Sequence, residues 1–198
     1  MSKSDPSASK KERNKTIRWV VAIFLITIFI SGAISLASNE IMAVSTMPVA
    51  FVILLVIVLI GILFDVIGVA VTSADEKPFH SMAARKVRGS HEAIALLRNA
   101  ERVSSICNDV IGDICGVVSG SASAAIATQV LANLEGFSWP QLISLLMSAL
   151  VAGLTVGGKA VGKTFAINSC TSIVFFAGRV ICAIKRFPQI FRRKRTNS

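Results

Sequence analysis

Three acidic side chains and one amide lie inside stretches of this chain that are otherwise apolar. Asp65 falls in one such run, and Asn108, Asp109 and Asp113 fall in a second run that covers residues 102–129. An acidic side chain inside the hydrocarbon of a bilayer is costly unless it faces protein, water or an ion. Carboxylate and amide oxygens are also the ligands that hard divalent cations prefer. These four residues are therefore candidates for an ion-binding site or an ion pathway, and the spacing of Asp109 and Asp113 predicts one shared helix face.

The composition indicates an integral membrane protein of one domain. Over 198 residues, 53% are hydrophobic and the mean hydropathy is +0.68, which leaves too few polar side chains to cover a soluble fold. The net charge of +10 comes from Lys and Arg that cluster in the two tails and in one central loop. This clustering is the pattern of cytoplasmic segments in a membrane protein, and we expect no nucleic acid as a partner.

The predicted fold is an all-α membrane protein with four transmembrane helices, a cytoplasmic amphipathic helical hairpin and a C-terminal juxtamembrane helix. The predicted spans cover residues 17–38 and about 47–73, 103–131 and 139–162, with the hairpin over 74–101 and the juxtamembrane helix over 167–187. Residues 1–16 and 188–198 are basic cytoplasmic tails, the first one disordered. A signal peptide is the alternative for the first apolar run, but its length favours a retained helix. Four spans place both termini in the cytoplasm.

Two features of the sequence bear on enzyme function. Residues 157–164 (GGKAVGKT) satisfy the phosphate-loop pattern G-x-x-x-x-G-K-[ST], but a membrane helix precedes them and no strand-rich region accompanies them. We interpret the match as coincidence and expect the fourth helix to break near Gly157–Gly158 or Gly162. No catalytic constellation of Ser, His and acid is present, so the chain is predicted not to be an enzyme.

A run of small side chains follows the acids of the third predicted span. It includes Gly120, Ser121 and Ser123, which leave room for another helix to approach closely. We therefore predict that these three residues serve helix packing.

The chain resembles a known family in four places, in order and at suitable spacing. Residues 64–73 (FDVIGVAVTS) resemble the F-S-x-S-E-T-A-L-T-S signature of the CNNM/CorC-type transmembrane domain. Residues 95–102 (ALLRNAER) are similar to A-L-x-L-x-x-N-P-E-R, 105–114 to I-x-I-G-N-N-x-x-N-I, and 156–164 to L-G-E-x-x-P-K-T. The resemblance covers about 49–187, which defines a CNNM/CorC-like transmembrane domain over 47–187.

This resemblance implies a homodimeric bundle of three spanning helices with a cytoplasmic helix belt, associated with transport of magnesium or other divalent cations. The helix over 17–38 would then be an additional N-terminal span. Family members often carry cytoplasmic CBS domains, and the 198 residues contain none. We therefore expect a CBS-type or other cytoplasmic regulatory partner, a plasma-membrane location, and Mg²⁺ as the bound or transported ion.

The chain departs from the family at the residues that would line the cation site. In the family, Ser hydroxyls, the Asn region and the glutamate of the G-E pair line that site. Here Asp65 stands at the first Ser position, Ile67 and Gly68 replace the S-E pair, and Lys159 replaces the glutamate, while Asn108 is kept.

Three hypotheses follow from these departures. The first is a divalent-cation transporter with Asp65, Asn108 and Asp109 as metal ligands and Asp113 in the ion path. The second is a non-transporting relative that acts as a dimeric membrane scaffold or regulator. In it, the ammonium of Lys159 takes the place of the cation and pairs with Asp65 or Asp109. The third is a small membrane protein whose buried charges only fix helix packing.

Overall fold

The computed structural model describes residues 6–133 and 139–194, and over these ranges the chain is helical without any strand. The elements in chain order are α1 Pro6–Val44, α2 Met47–Ser73, α3 Lys77–Ala84, α4 Ser90–Arg98, α5 Ala100–Ser105, a π-helical segment Ile106–Gly112, α6 Asp113–Asn133, α7 Pro140–Asn168 and α8 Cys170–Lys194. The segment α5–π–α6 is continuous, because no turn interrupts it between Ala100 and Asn133.

Four of these stretches are long and apolar enough to cross a bilayer: Ile17–Ser38, Met47–Ser73, Ala100–Ala132 and Gln141–Asn168. Many of their large apolar side chains are exposed on the surface of the chain, as expected for helices that face lipid. The predicted fold class, an all-α membrane protein with four helices able to span, is confirmed.

The helix boundaries differ from the prediction in α1, in α7 and at the end of α8, which continues to Lys194 and so includes part of the predicted C-terminal tail. The first helix begins at Pro6 and continues to Val44, so it includes part of the tail that we predicted to be disordered and most of the segment between the first two predicted spans. Helix propagation from an apolar span is favourable through Lys-, Glu- and Arg-containing sequence, which explains the extension. The helix α7 runs unbroken from Pro140 to Asn168, so the predicted break at its glycines is wrong.

The helix α2 is the centre of the bundle and packs against α6, α7, α8 and the π-helical segment. One apolar core joins α2 to α6 and α7 through Ala50, Leu54, Val58, Ala122, Ile126 and Val151. A second core joins the C-terminal end of α2 to α3, α4 and α8, with Phe79 fully buried in it. The helix α1 packs chiefly on α6.

Glycines set the close approach of α2 to its neighbours. A Cβ added at Gly61 of α2 would lie 2.9 Å from Cβ of Cys115, and one added at Gly162 of α7 would lie 2.7 Å from Cγ2 of Val66. A Cβ at Gly158 would collide with the side chain of Ile62. Glycine in these helices is therefore explained by packing, and the same contacts explain why α7 stays helical where we expected a break.

The contact between Gly162 and Val66 gives a testable prediction. Because the χ1 angle of a helical Val is stiff, Gly162→Ala should force α7 away from α2 and destabilise the protein by about 1–3 kcal/mol. The measurement is the thermal midpoint of the purified protein in detergent. The matched control is Gly157→Ala on the same helix, where no atom lies within 4 Å of an added Cβ. Equal effects of the two substitutions would contradict the packing argument.

Candidate functional site

Asp65 is the buried acid of the bundle, and two lysines of α7 approach it. Its side chain is 5% exposed, Nζ of Lys159 lies 3.8 Å from its Oδ1, and Nζ of Lys163 lies 4.0 Å from its Oδ2. The two lysines are four residues apart, so they stand one turn apart on the same face of α7. A buried carboxylate needs a positive partner, and α7 supplies two.

The two lysines differ in exposure and hence in the strength of their interaction with Asp65. The side chain of Lys159 is 22% exposed and that of Lys163 is 54% exposed. Since solvent or headgroup screening weakens an exposed pair far more than a buried one, Lys159 is the principal partner of Asp65.

Each lysine directly follows a glycine that packs on α2. Gly158 and Gly162 face Ile62 and Val66 of α2; Ile62 lies three residues before Asp65 and Val66 directly follows it. The short distance between the helices lets the neighbouring ammonium groups reach the carboxylate. The pattern GGKAVGKT is thus a helix-packing and ion-pairing pattern, and its helical conformation excludes a phosphate loop.

Asn108 reaches the site from the π-helical segment. Its side chain packs directly on Gly68 of α2, where no Cβ could be accommodated, and its Nδ2 donates a hydrogen bond to Oγ of Ser104 at 3.2 Å. Its Oδ1 is buried without a hydrogen-bond partner, as is Oδ2 of Asp65. Gly68 and Asp65 are three residues apart on α2, so the amide of Asn108 packs on α2 about one helical turn from the position of the ion pair.

The π-helical segment also passes beside the ion pair. A Cβ added at Gly112 would lie 3.4 Å from Nζ of Lys159 and 3.9 Å from Oδ1 of Asp65. Glycine at this position leaves the space that the lysine side chain occupies. π-Helical turns occur frequently at functional sites, which agrees with its place here.

Asp109 and Asp113 do not join this site. Both side chains are exposed on the surface of the single chain, and Oγ of Ser105 donates a 2.7 Å hydrogen bond to Oδ2 of Asp109. Neither forms an ion pair with any residue that the structure describes. The structure brings Asp65, Lys159 and Lys163 together and places Asn108 against Gly68, three residues further along α2. It does not assemble the predicted ligand set of Asp65, Asn108 and Asp109.

The residues present do not fit a resident divalent cation. Within residues 6–133 and 139–194, no group of three or more His, Cys, Asp and Glu side chains is arranged to hold a metal ion. A hard cation needs several oxygen ligands, whereas Asp65 offers one carboxylate that already faces two ammonium groups.

The predicted packing residues of α6 occupy different environments. Ser123 is buried, and Ser121 donates its hydroxyl to the carbonyl of Val118 at 2.9 Å. Ser123 and Gly120 line a groove of about 170 Å³ between α6 and α7, and no atom lies within 4 Å of a Cβ added at Gly120. Ser123 therefore packs between helices, whereas Gly120 faces open space.

Sequence reasoning missed Lys163 as a site residue. The signal was present, because Lys163 follows Lys159 by four residues and shares its helix face. A helix break at Gly162, one of the two places where we expected it, would have put the two lysines on separate helices.

No family model, no curated protein and no solved structure matches this chain.

The pairing of Lys159 with Asp65 gives a testable prediction. Lys159→Met leaves a buried carboxylate without its principal partner and should destabilise the protein by about 3 kcal/mol. Adding Asp65→Asn should recover most of this loss, because the uncompensated charge is removed. Thermal midpoints of the two single variants and the double variant, read as a double-mutant cycle, measure the coupling.

The control for that cycle is Lys163→Met, on the same helix and facing the same carboxylate. Its half-exposed side chain predicts a loss below about 1 kcal/mol. A coupling near zero between Lys159 and Asp65, or a larger effect at Lys163, would contradict the assignment of Lys159 as principal partner.

Proposed function

We propose that the protein is a non-transporting membrane scaffold or regulator, resembling the CNNM/CorC-type transmembrane domain, in which Lys159 stands where a cation would bind. The observation that carries this proposal is the approach of Nζ of Lys159 to within 3.8 Å of the buried carboxylate of Asp65. A tethered ammonium neutralises the acid permanently, so the bundle needs no ion to be complete.

The charge of the site supports the same conclusion. With Asp65 ionised and both lysines protonated, the three side chains carry a net positive charge. In a low-dielectric site, this charge repels a second cation over several ångströms. Asp109 and Asp113, the acids that would offset it, are exposed and form no ion pair with either lysine.

The arrangement of the helix ends supports a common side for the basic segments. The core around Phe79 joins α3 and α4, which follow α2, to α8, which follows α7. The basic segment between α2 and α5 and the basic C-terminal helix therefore lie at one end of the bundle. We propose that this end is cytoplasmic, that residues 74–101 form a hairpin there, that α8 is juxtamembrane, and that both termini and the regulatory partner are on this side of the plasma membrane.

The proposed scaffold role requires surface for partners, and two spans provide it. The apolar windows of α1 and α7 are 0% and 6% buried within the chain. Such faces are available to lipid, to a second copy in a homodimer, or to another membrane protein. A CBS-type protein is the cytoplasmic partner that the family resemblance suggests.

Divalent-cation transport is the second candidate, and one observation favours it. Oδ2 of Asp65 and Oδ1 of Asn108 are buried oxygens without hydrogen-bond partners, and oxygens of this kind are ligands for Mg²⁺. For transport, Lys159 would have to leave Asp65 when the ion arrives as substrate.

A magnesium experiment separates the two candidates. For the scaffold, addition of Mg²⁺ should leave the thermal midpoint of the protein unchanged, and proteoliposomes should show no Mg²⁺ flux above empty vesicles. Lys159→Glu removes the tethered cation and adds a carboxylate, so Mg²⁺ should stabilise this variant. Its thermal midpoint should rise by about 2–4 °C for each kcal/mol of Mg²⁺-binding free energy.

The control is Lys159→Gln, which removes the ammonium without adding a ligand charge and should respond to Mg²⁺ less than Lys159→Glu. A Mg²⁺-dependent midpoint or a Mg²⁺ flux in the unmodified protein would overturn the scaffold proposal and favour transport.

A further inference from the structure

A basic turn joins α3 to α4 at the end of the bundle that carries α8. It contains three basic residues within four positions, Arg85, Lys86 and Arg88, and all three are exposed. The remaining position is Val87, an exposed apolar residue between Lys86 and Arg88. A short segment that offers cations on both sides of an apolar side chain is suited to the boundary between lipid headgroups and acyl chains.

The backbone of this turn is strained at Lys86. Its φ is 56°, and it is the only residue other than glycine with positive φ in the described part of the chain. Lys86 N–H donates to the carbonyl of Ala83 and Val87 N–H donates to that of Met82, which is the hydrogen-bond pattern of a Schellman C-cap. Glycine is the residue that this position favours, so a lysine here lowers stability and needs another reason.

The turn is continuous with a second exposed surface on α8. Gly89, which follows Arg88, packs directly against the backbone and Cγ of Arg179. On α8, Arg179 is exposed beside the apolar residues Phe176, Val180 and Ile184, which are spaced four apart and are 68%, 41% and 64% exposed. The opposite face of α8 is occupied, since Val174 and Gly178 pack on α4.

We propose that this surface, made of the 85–88 turn, Arg179 and the exposed apolar face of α8, binds anionic phospholipid headgroups at the membrane interface. Four exposed cations provide the charge complementarity, and Val87 with the apolar residues of α8 provides contact with acyl chains. Nucleic acid would also meet cations here, but the interleaved aliphatic side chains offer no aromatic stacking for bases. The proposal does not depend on the Asp65 site.

Glu92 is the acid nearest in sequence to this surface, one turn into α4, and it is half-buried. A single half-buried carboxylate offsets only part of four exposed positive charges. The surface therefore remains attractive to anionic lipid.

The test uses the full chain reconstituted into vesicles of phosphatidylcholine alone or mixed with phosphatidylglycerol. A tryptophan at position 87 (Val87→Trp), with Trp19→Phe and Trp139→Phe to remove the native signal, reports contact through quenching by brominated lipid. We expect brominated phosphatidylglycerol to quench more strongly than brominated phosphatidylcholine at the same bromine content. In this background, each of Arg85→Gln, Arg88→Gln and Arg179→Gln should weaken the apparent affinity for phosphatidylglycerol by about fivefold.

Lys86→Gly separates the lipid role from a purely structural one. Because glycine relieves the positive φ, this variant should have a higher thermal midpoint in neutral detergent and, at the same time, a weaker preference for phosphatidylglycerol. The matched control is Arg98→Gln, an exposed arginine at the other end of α4, which should leave the lipid preference unchanged.

Three outcomes would overturn the proposal: equal quenching by the two brominated lipids, an equal effect of Arg98→Gln, or binding of RNA to the reconstituted protein through these same arginines without lipid preference. The last outcome would assign the surface to nucleic acid. An Arg→Gln variant that loses its thermal transition in detergent is replaced by Arg→Met at the same position, so that loss of charge is tested on a folded protein.

Discussion

One carboxylate in an apolar environment sets the main constraint on this bundle. Asp65 lies on the central helix and is almost wholly removed from solvent, so its charge must be compensated by protein. The lysines of α7 meet this requirement only while α7 is helical through its glycines and close to α2. The ion pair and the glycine contacts therefore depend on each other, and the position of α7 follows from both.

Two further glycines make room for the polar side chains near Asp65. The absence of a Cβ at Gly112 leaves space for the side chain of Lys159. In the same way, the absence of a Cβ at Gly68 leaves space for the side chain of Asn108. Glycine on one helix is thus matched by a polar side chain from another at both contacts. This arrangement brings two ammonium groups to the carboxylate of Asp65, with the amide of Asn108 packed on α2 three residues further along.

Much of the architecture could be predicted from the sequence, because span length and apolar content are local properties. The bounds of α2, the start of α7 at Pro140 and the separation of α3 from α4 at Gly89 all follow from such local signals. For the partner of Lys159 the sequence left two acids open, Asp65 and Asp109, and the structure pairs it with Asp65. The outward position of Asp109 was not predicted. A π-helical turn between residues 106 and 112 changes the direction in which side chains point, and it has no clear sequence signal. The continuity of α7 was missed because glycine is read as a helix breaker when its packing partner is unknown.

The π-helical segment has a consequence for how such a chain can diversify. A π turn holds one residue more than the α-helical turn it replaces. In an α-helix, successive side chains are rotated by about 100° about the helix axis. Loss of a single codon within this segment would restore α-helical geometry and rotate Asn108 away from Gly68, while α6 beyond it kept its register. A one-residue deletion could therefore rebuild the centre of the bundle without altering a single side chain of the membrane-facing surface of α6.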